Sequence, residues 1–262
     1  MKEMILSHLP MDYPWKEQLY WFNSIPSTND RLKEMARQGA PHGTVLIADH
    51  QTGGHGRRGR SFHSPGGVGI YMSILLRPKC APTDLLHLTC AAAVAMCDAV
   101  EASVGFRPGI KWTNDLVFGK RKLGGILTEL GLSQGGMANY AIVGIGINCS
   151  QKRQDFSPEI QDVAASLSMV TGAEQNRFRL AAAMMEAMWQ LDLSRKEELL
   201  DRYRRDCVTI GQDICLVRGA EIRHGRALDI DDSGALMVRF SDGSTEAVSS
   251  GEVSVRGMYG YV

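Results

Sequence analysis

The chain carries no excess of either charge: 29 Lys and Arg stand against 29 Asp and Glu in 262 residues. The overall balance therefore calls for neither nucleic acid nor an anionic membrane, and any anion site has to be built locally. Long apolar runs are missing too. The longest, LTCAAAVAMCDAV at 88–100, is too short and too rich in alanine to span a bilayer. The opening MKEMILSHLPMDYPWKEQ is interrupted by His8, Pro10 and Asp12, unlike a secretory signal. Six cysteines lie far apart with no Cys-x-x-Cys pair, which argues against a zinc site or a disulfide framework. Reduced thiols in a cytoplasmic protein are the simplest reading. The first 18 residues read as an irregular extension, too short for the three or so helices of a helix-turn-helix module, so no specific DNA binding is expected.

Strand and helix patterns then alternate. LYWFNSI (19–25) and TVLIADHQ (44–51) read as strands. Between them PSTNDRLKEMARQGA reads as a helix capped by Ser27, with Asp30 three residues on, an apolar stripe of Leu32, Met35 and Ala36, and Gly39 at its stop. VGIYMSILLRP is a further strand, and 82–104 an alanine-rich buried helix. IKWTNDLVF, RKLGGILTELG and ANYAIVGIGINCS read as strands and tight turns. A helical region from about residue 162 includes RFRLAAAMMEAMWQL and a helix starting at Ser194 with a capping box. After Cys207 short strands alternate with turns, and Asp-Gly at 242–243 is a hairpin signal. These patterns predict an α+β fold: an extension at 1–18, an α+β domain at 19–207 and a small barrel at 208–262.

Four stretches could carry chemistry. In GGHGRRGRSFHSPGG (53–67), glycines let backbone amides turn inward, while Arg57, Arg58 and Arg60 supply forks suited to phosphate or carboxylate. It lacks the Gly-Lys-Ser/Thr of a Walker loop. A solvated surface loop would show the same composition. In KWTND (111–115), a strand-end lysine precedes a turn set by Asn114 and Asp115, which an ordinary turn with a solvated lysine would also explain. In GIGIN (144–148), Gly144 and Gly146 let a ligand lie against the backbone and Asn148 suits an adenine edge, but close strand–helix packing uses glycine as well. Ser27-Thr28-Asn29 caps a helix or binds a small polar ligand, and Ser27 and Thr28 can divide these roles.

Taken in order, STN, ADHQTGGHGRRGRSFHSP, KWTND with GKRKLGGIL, VGIGIN and the late SSGEVSVRG resemble the biotin–protein ligases over roughly 20–262. The resemblance implies a mixed-sheet catalytic domain of the biotin/lipoate ligase type with a C-terminal SH3-like β-barrel, in a short form without a DNA-binding domain. It implies activation of biotin by ATP and Mg²⁺ to biotinyl-5′-AMP, then transfer to a lysine of a biotin carboxyl carrier protein domain. By resemblance Ser27, Thr28, Asn29, Gln51, His55 and Gly56 fall at biotin positions, Gly124, Gly125, Gly144 and Gly146 line the pocket, and Arg57 holds the carboxylate or adenylate phosphate. Lys111 is the principal catalytic cation. Arg58, Asn148, Glu252 and Arg256 fall to the nucleotide, and no metal ligand is identified. A homodimer is compatible with the resemblance. No membrane association is expected.

Two positions depart from the family pattern. His55 stands where the first loop arginine is usual, so adenylate retention is expected to be weaker or pH-dependent. Thr113 replaces the proline of Lys-Trp-Pro-Asn-Asp, which predicts a less rigid turn with the spacing of Lys111 and Asp115 kept. The alternatives are a lipoate ligase-type acyl transferase and a biotin sensor without transfer. A cysteine-dependent acyl transferase would need Cys149 in the pocket, but strand alternation points it away from Asn148, as a structural thiol.

Overall fold

The computed structural model describes residues 1–78, 87–133, 136 and 138–249, with the backbone of 254–257. Seven strands build a mixed sheet: β1 (Leu19–Ile25), β2 (Thr44–Gln51), β3 (Gly69–Leu76), β4 (Gly109–Lys111), β5 (Asp115–Phe118), β6 (Arg121–Leu132) and β7 (Ala138–Asn148). Their order is β1-β2-β3-β7-β6-β5-β4, with β1 and β2 parallel and the other neighbours antiparallel. Six helices accompany them among the described residues: α1 (Lys2–Leu6), α2 (Thr28–Arg37), α3 (Leu88–Val104), α4 (Leu167–Thr171), α5 (Arg177–Trp189) and α6 (Lys196–Asp206).

Strand side chains alternate between two faces, and the two faces have different covers. Val45, Ile47, Met72, Ile74, Val143, Ile145 and Ile147 enter the main core with α3 and α5. Leu46, Leu75, Tyr140 and Ile142 point the other way and bury Leu32 and Ala36 of α2. Each such aliphatic side chain contributes about 1.5–3 kcal/mol on full burial. α3 is buried at every residue of 90–97, because it lies between the sheet and its neighbours α5 and α6. Ser27 caps α2 as expected, accepting from the Asp30 amide at 3.3 Å.

The face covered by α2 is hollow at its centre. Register places Ser73 opposite Gly144 and Gly144 opposite Leu127, and likewise Tyr71 opposite Gly146 and Gly146 opposite Gly125. Small residues on three adjacent strands therefore leave space where the other face carries Ile145, Ile147 and Val143. Cys149 belongs to the main core on that opposite face, fully buried, and burial pushes its thiol up to about 12.

The last strands are β8 (Asp213–Arg218), β9 (Glu221–Ile230), β10 (Leu236–Phe240), β11 (Thr245–Val248) and β12 (Ser254–Gly257). They form an antiparallel sheet in the order β11-β10-β9-β8-β12. Asp242 and Gly243 turn the β10–β11 hairpin, with Gly243 at φ 86°. Ile214, Leu216, Ile230, Leu236 and Val238 join the main core, so the second sheet is continuous in packing with the first.

Two expectations are corrected. The opening segment is not irregular: it contains α1 and a 3-10 turn (Lys16–Gln18), with Ile5, Tyr13 and Trp15 buried in the main core. The Tyr13 hydroxyl donates to the Met185 carbonyl at 3.0 Å. These apolar residues follow no single period, so no stripe marks them. Ser194 forms no capping box: the N-cap of α6 is Arg195, and the Ser194 hydroxyl donates to Asp192 Oδ1 at 2.7 Å. A carboxylate two residues back takes the hydroxyl that the cap requires. The first residues of the helix expected at 82–104 lie outside the described residues, and its described part is α3.

Candidate active site

Above the hollow in the sheet lies a cavity of about 680 Å³, within the range of small-molecule sites. At one end the side chains are neutral and tied to one another. Gln51, ending β2, accepts at Oε1 from the Thr28 amide (2.8 Å) and the Thr28 hydroxyl (3.0 Å). Its Nε2 donates to Ser64 Oγ at 3.0 Å, and Ser64 in turn donates to the Phe62 carbonyl. Ser73, the only polar side chain in GIYMSILL apart from the Tyr71 hydroxyl, donates to Asn29 Oδ1 at 2.6 Å and lies 2.8 Å from Thr28 Oγ1. Asn29 Nδ2 donates to Glu129 Oε2 at 2.8 Å, and Glu129 is paired with Lys33 at 2.7 Å. Ser27, Thr28, Asn29 and Gln51 all reach the cavity wall.

The glycines create this space in a way the sequence did not specify. A methyl at Gly144 would overlap the Asn29 carboxamide, and one at Gly146 would sit 2.5 Å from the Phe62 ring. Their absent side chains thus accommodate two protein groups that frame the cavity. Gly125 lines it, whereas Gly124 does not: a methyl there would meet the Gly146 carbonyl, 2.5 Å away, so Gly124 serves close strand packing. Asn148 is 6% exposed and lines the cavity, with Nδ2 donating to the Ala165 carbonyl and Oδ1 accepting from Gln151.

The other end collects charge. Lys111 ends β4, is 7% exposed and faces the cavity. Its turn is clamped from several sides. The Trp112 amide donates to Thr209 Oγ1 at 2.9 Å and its indole to the Gly234 carbonyl at 3.1 Å, so the segment before β8 and the connection between β9 and β10 brace this turn. Asn114 Nδ2 donates to the Ile126 carbonyl, and the Ile126 amide donates back to the Asn114 carbonyl, both at 2.9 Å. The Trp112–Thr113 peptide bond is cis. Lys111 and Asp115 are register partners, which keeps the expected spacing.

The glycine-arginine loop folds over this end as a narrow hairpin. The Gly56 amide donates to the Arg60 carbonyl at 2.7 Å and the Phe62 amide to the Gly54 carbonyl at 2.9 Å. Arg58 at φ 60° and Gly59 at φ 70° reverse the chain. As a result Arg57 turns inward, while Arg58 and Arg60 are exposed at the rim. Burial lowers the Arg57 guanidinium from its ordinary value and the nearby Asp115 carboxylate opposes that shift; an arginine stays charged through such changes. The His55 ring lines the cavity with Nδ1 3.2 Å from the Gly53 carbonyl and 4.0 Å from Asp30 Oδ2. Glu252 lies outside the described residues, and Arg256 is described only as a backbone partner of Cys215 in β12.

Three site residues escaped the sequence reading. Lys122 lines the cavity and pairs with Asp115 at 2.7 Å, but in Lys120-Arg121-Lys122 nothing in the order marks which cation turns inward. Ser73 did leave a signal, a hydroxyl within a buried aliphatic strand. Phe62 packs on Gly146 and lines the cavity, which only the loop's fold decides.

The cavity thus joins a neutral hydrogen-bonded pocket at one end to converging cations at the other, an arrangement suited to an enzyme that brings a small organic acid to a phosphate. Residues 21–148 match the biotin/lipoate A/B protein ligase family, and 209–256 match the biotin protein ligase C-terminal domain. The chain is 33% identical over 242 residues to the bifunctional ligase/repressor BirA of Bacillus spizizenii, covering 89% of this chain and 73% of that protein. It is 32% identical over 239 residues to a biotin–[acetyl-CoA-carboxylase] ligase of Mycobacterium tuberculosis, covering 87% and 85%. The biotin protein ligase from Aquifex aeolicus in complex with biotin and ATP superposes with a TM-score of 0.78 at 30% identity, covering 91% of this chain and 98% of that one. The chain belongs to the biotin/lipoate A/B protein ligase family.

Proposed function

We infer that this protein is an ATP-dependent biotin–protein ligase. It activates biotin as biotinyl-5′-AMP and transfers the biotinyl group to a lysine of a biotin-accepting carboxylase subunit. The observation that carries the reading is the two-ended cavity, whose wall carries Thr28 and Gln51 at one end and Arg57, Lys111 and Lys122 at the other. Its finer assignments are our own proposal.

The ureido group of biotin, both donor and acceptor, sits at the neutral end, where Ser27, Thr28 and Gln51 are held in fixed orientations. Its carboxylate then points toward Lys111. In the first step a carboxylate oxygen attacks the α-phosphorus of ATP, the α–β bridging bond breaks and pyrophosphate leaves. Two anions meet in that transition state, and pre-positioned cations stabilise it with little reorganisation. Lys111 and Arg57 take this role, and Lys122, aligned by Asp115, adds a third positive charge. Magnesium, bound as MgATP, would offset part of the triphosphate charge. Asn148 faces the adenine. In the second step the acceptor amine attacks the anhydride carbonyl carbon and gives up a proton, and AMP leaves. No side-chain nucleophile is involved, in keeping with the burial of Cys149. The acceptor is a carrier domain presenting its lysine at the loop-covered mouth.

The test is biotin-dependent exchange of pyrophosphate into ATP, followed by labelling of an apo carrier domain. Exchange with lipoate but not biotin would assign the chain to the lipoate branch. Biotin binding without exchange would make it a sensor.

A further inference from the structure

Arg57 does more than face the cavity. Its Nη1 donates to Thr113 Oγ1 at 3.1 Å and to Asn114 Oδ1 at 3.0 Å, both on the turn that follows Lys111. Neither acceptor is free to drift. Thr113 is 4% exposed, and its carbonyl accepts from the buried Tyr203 hydroxyl at 2.9 Å. Asn114 is tied to Ile126 on β6 at both its amide nitrogen and its carbonyl. Thr113 does not line the cavity, so its hydroxyl acts on the loop rather than on a ligand. The loop's two limbs are bonded across from Gly54 to Phe62 and from Gly56 to Arg60, so holding Arg57 holds both. A proline at this position, as in the Lys-Trp-Pro-Asn-Asp pattern, has no side-chain acceptor, whereas a hydroxyl oxygen gives the guanidinium a charge-assisted bond.

We propose that Thr113 is a positioning residue of this enzyme, whose hydroxyl latches Arg57 and the 53–67 loop onto the Lys111 turn and so keeps the adenylate covered until the acceptor lysine arrives. This proposal rests on the ligase reading. The latch lies between the loop and a rigid part of the sheet. Its loss therefore changes how long the intermediate is held, rather than the chemistry at Lys111.

Thr113→Val keeps the side-chain shape and removes the hydroxyl, and Thr113→Ser restores it. Each variant is loaded with biotin and MgATP and chased with unlabelled biotin, and loss of the bound adenylate is followed. Loss is expected to be about tenfold faster in Thr113→Val, the scale of one charge-assisted hydrogen bond, and within about twofold of wild type in Thr113→Ser. Pyrophosphate-exchange kcat is expected to stay within about threefold in both. Equal retention in the valine variant and wild type overturns the proposal, as does equally fast loss from the valine and serine variants. Hydrogen exchange at the Gly56 and Phe62 amides of the ligand-free protein gives a second readout. If wild type makes no adenylate, the ligase reading fails by itself. The latch then stands or falls on whether those amides exchange about tenfold faster in Thr113→Val.

Discussion

At the Thr28 end of the cavity the polar side chains are held by one another: Gln51 by Thr28 and Ser64, Asn29 by Ser73 and Glu129. At the Lys111 end the cations come from three separate pieces of chain, the loop, the end of β4 and the start of β6, gathered around Asp115. The first end rests on the sheet and α2, and its shape is set before a ligand arrives. In our proposal the 53–67 loop over the second end acts as a lid, since a triphosphate has to enter and an acceptor lysine has to reach the anhydride. The difference shows where rigidity is affordable. A neutral headgroup is recognised by fixed hydrogen bonds, whereas a reactive phosphate anhydride needs charge that can close over it and exclude water.

The largest effect is expected at the charged end. Lys111→Ala should lower pyrophosphate exchange by about 10³-fold or more, with biotin binding by calorimetry within about tenfold of wild type. Unchanged turnover would remove Lys111 from the mechanism. At the neutral end Gly144→Ala forces a methyl onto the Asn29 carboxamide, for which overpacking costs about 1–3 kcal/mol. Biotin affinity should fall by about tenfold to a hundredfold while exchange at saturating biotin changes far less. A pure kcat loss would contradict the division between the ends. Arg57→Gly comes next: exchange should fall, though less than in Lys111→Ala, because one cation of the transition state is lost, and the adenylate that still forms should leave the site about tenfold faster and label bystander lysines. Labelling confined to the proper acceptor would refute the lid.

The smallest effect belongs to the core thiol. Cys149→Ala should leave exchange and transfer within about threefold, whereas loss of transfer alone would revive a thiol-dependent acyl transfer. Burial raises the Cys149 and Cys90 thiols from the ordinary 9.0 to about 12. The folded state therefore holds these protons more tightly than the unfolded chain does. Their contribution to stability is fully present below pH 9.0 and is lost progressively as pH rises toward about 12. Denaturant titrations at pH 8 and pH 10 should show that decline, and replacing both thiols with alanine should lessen it, with the buried Cys97 and Cys207 thiols, also pushed up, supplying part of the remainder.

Local order made much of this visible in the chain. The strands at 19–25 and 44–51, the Ser27 cap and the Asp-Gly hairpin each follow from a short-range rule about side-chain alternation, capping or turn geometry. The Arg57 and Lys111 stretches were equivocal as local patterns; their roles were proposed from the order of motifs that resembles the biotin–protein ligases, and both side chains line the cavity. Residues whose roles depend on distant partners were not readable. Ile5, Tyr13 and Trp15 follow no period, because what they cover is the remote α5 and its surroundings. Ser194 was misread because the competing Asp192 carboxylate is invisible to a capping rule.

By itself, then, the sequence determined the alternation that gives the sheet two faces, the glycines that hollow one of them and the cations available to the site. Tertiary structure decided which groups fill those hollows and which cations turn inward. Gly144 makes room for Asn29, Gly146 for Phe62, and Lys122 enters the cavity beside Asp115 while Lys120 is exposed. The physical reason is distance along the chain: periodicity fixes the side of a strand a residue faces, but only the packing of segments far apart in sequence fixes what it meets there.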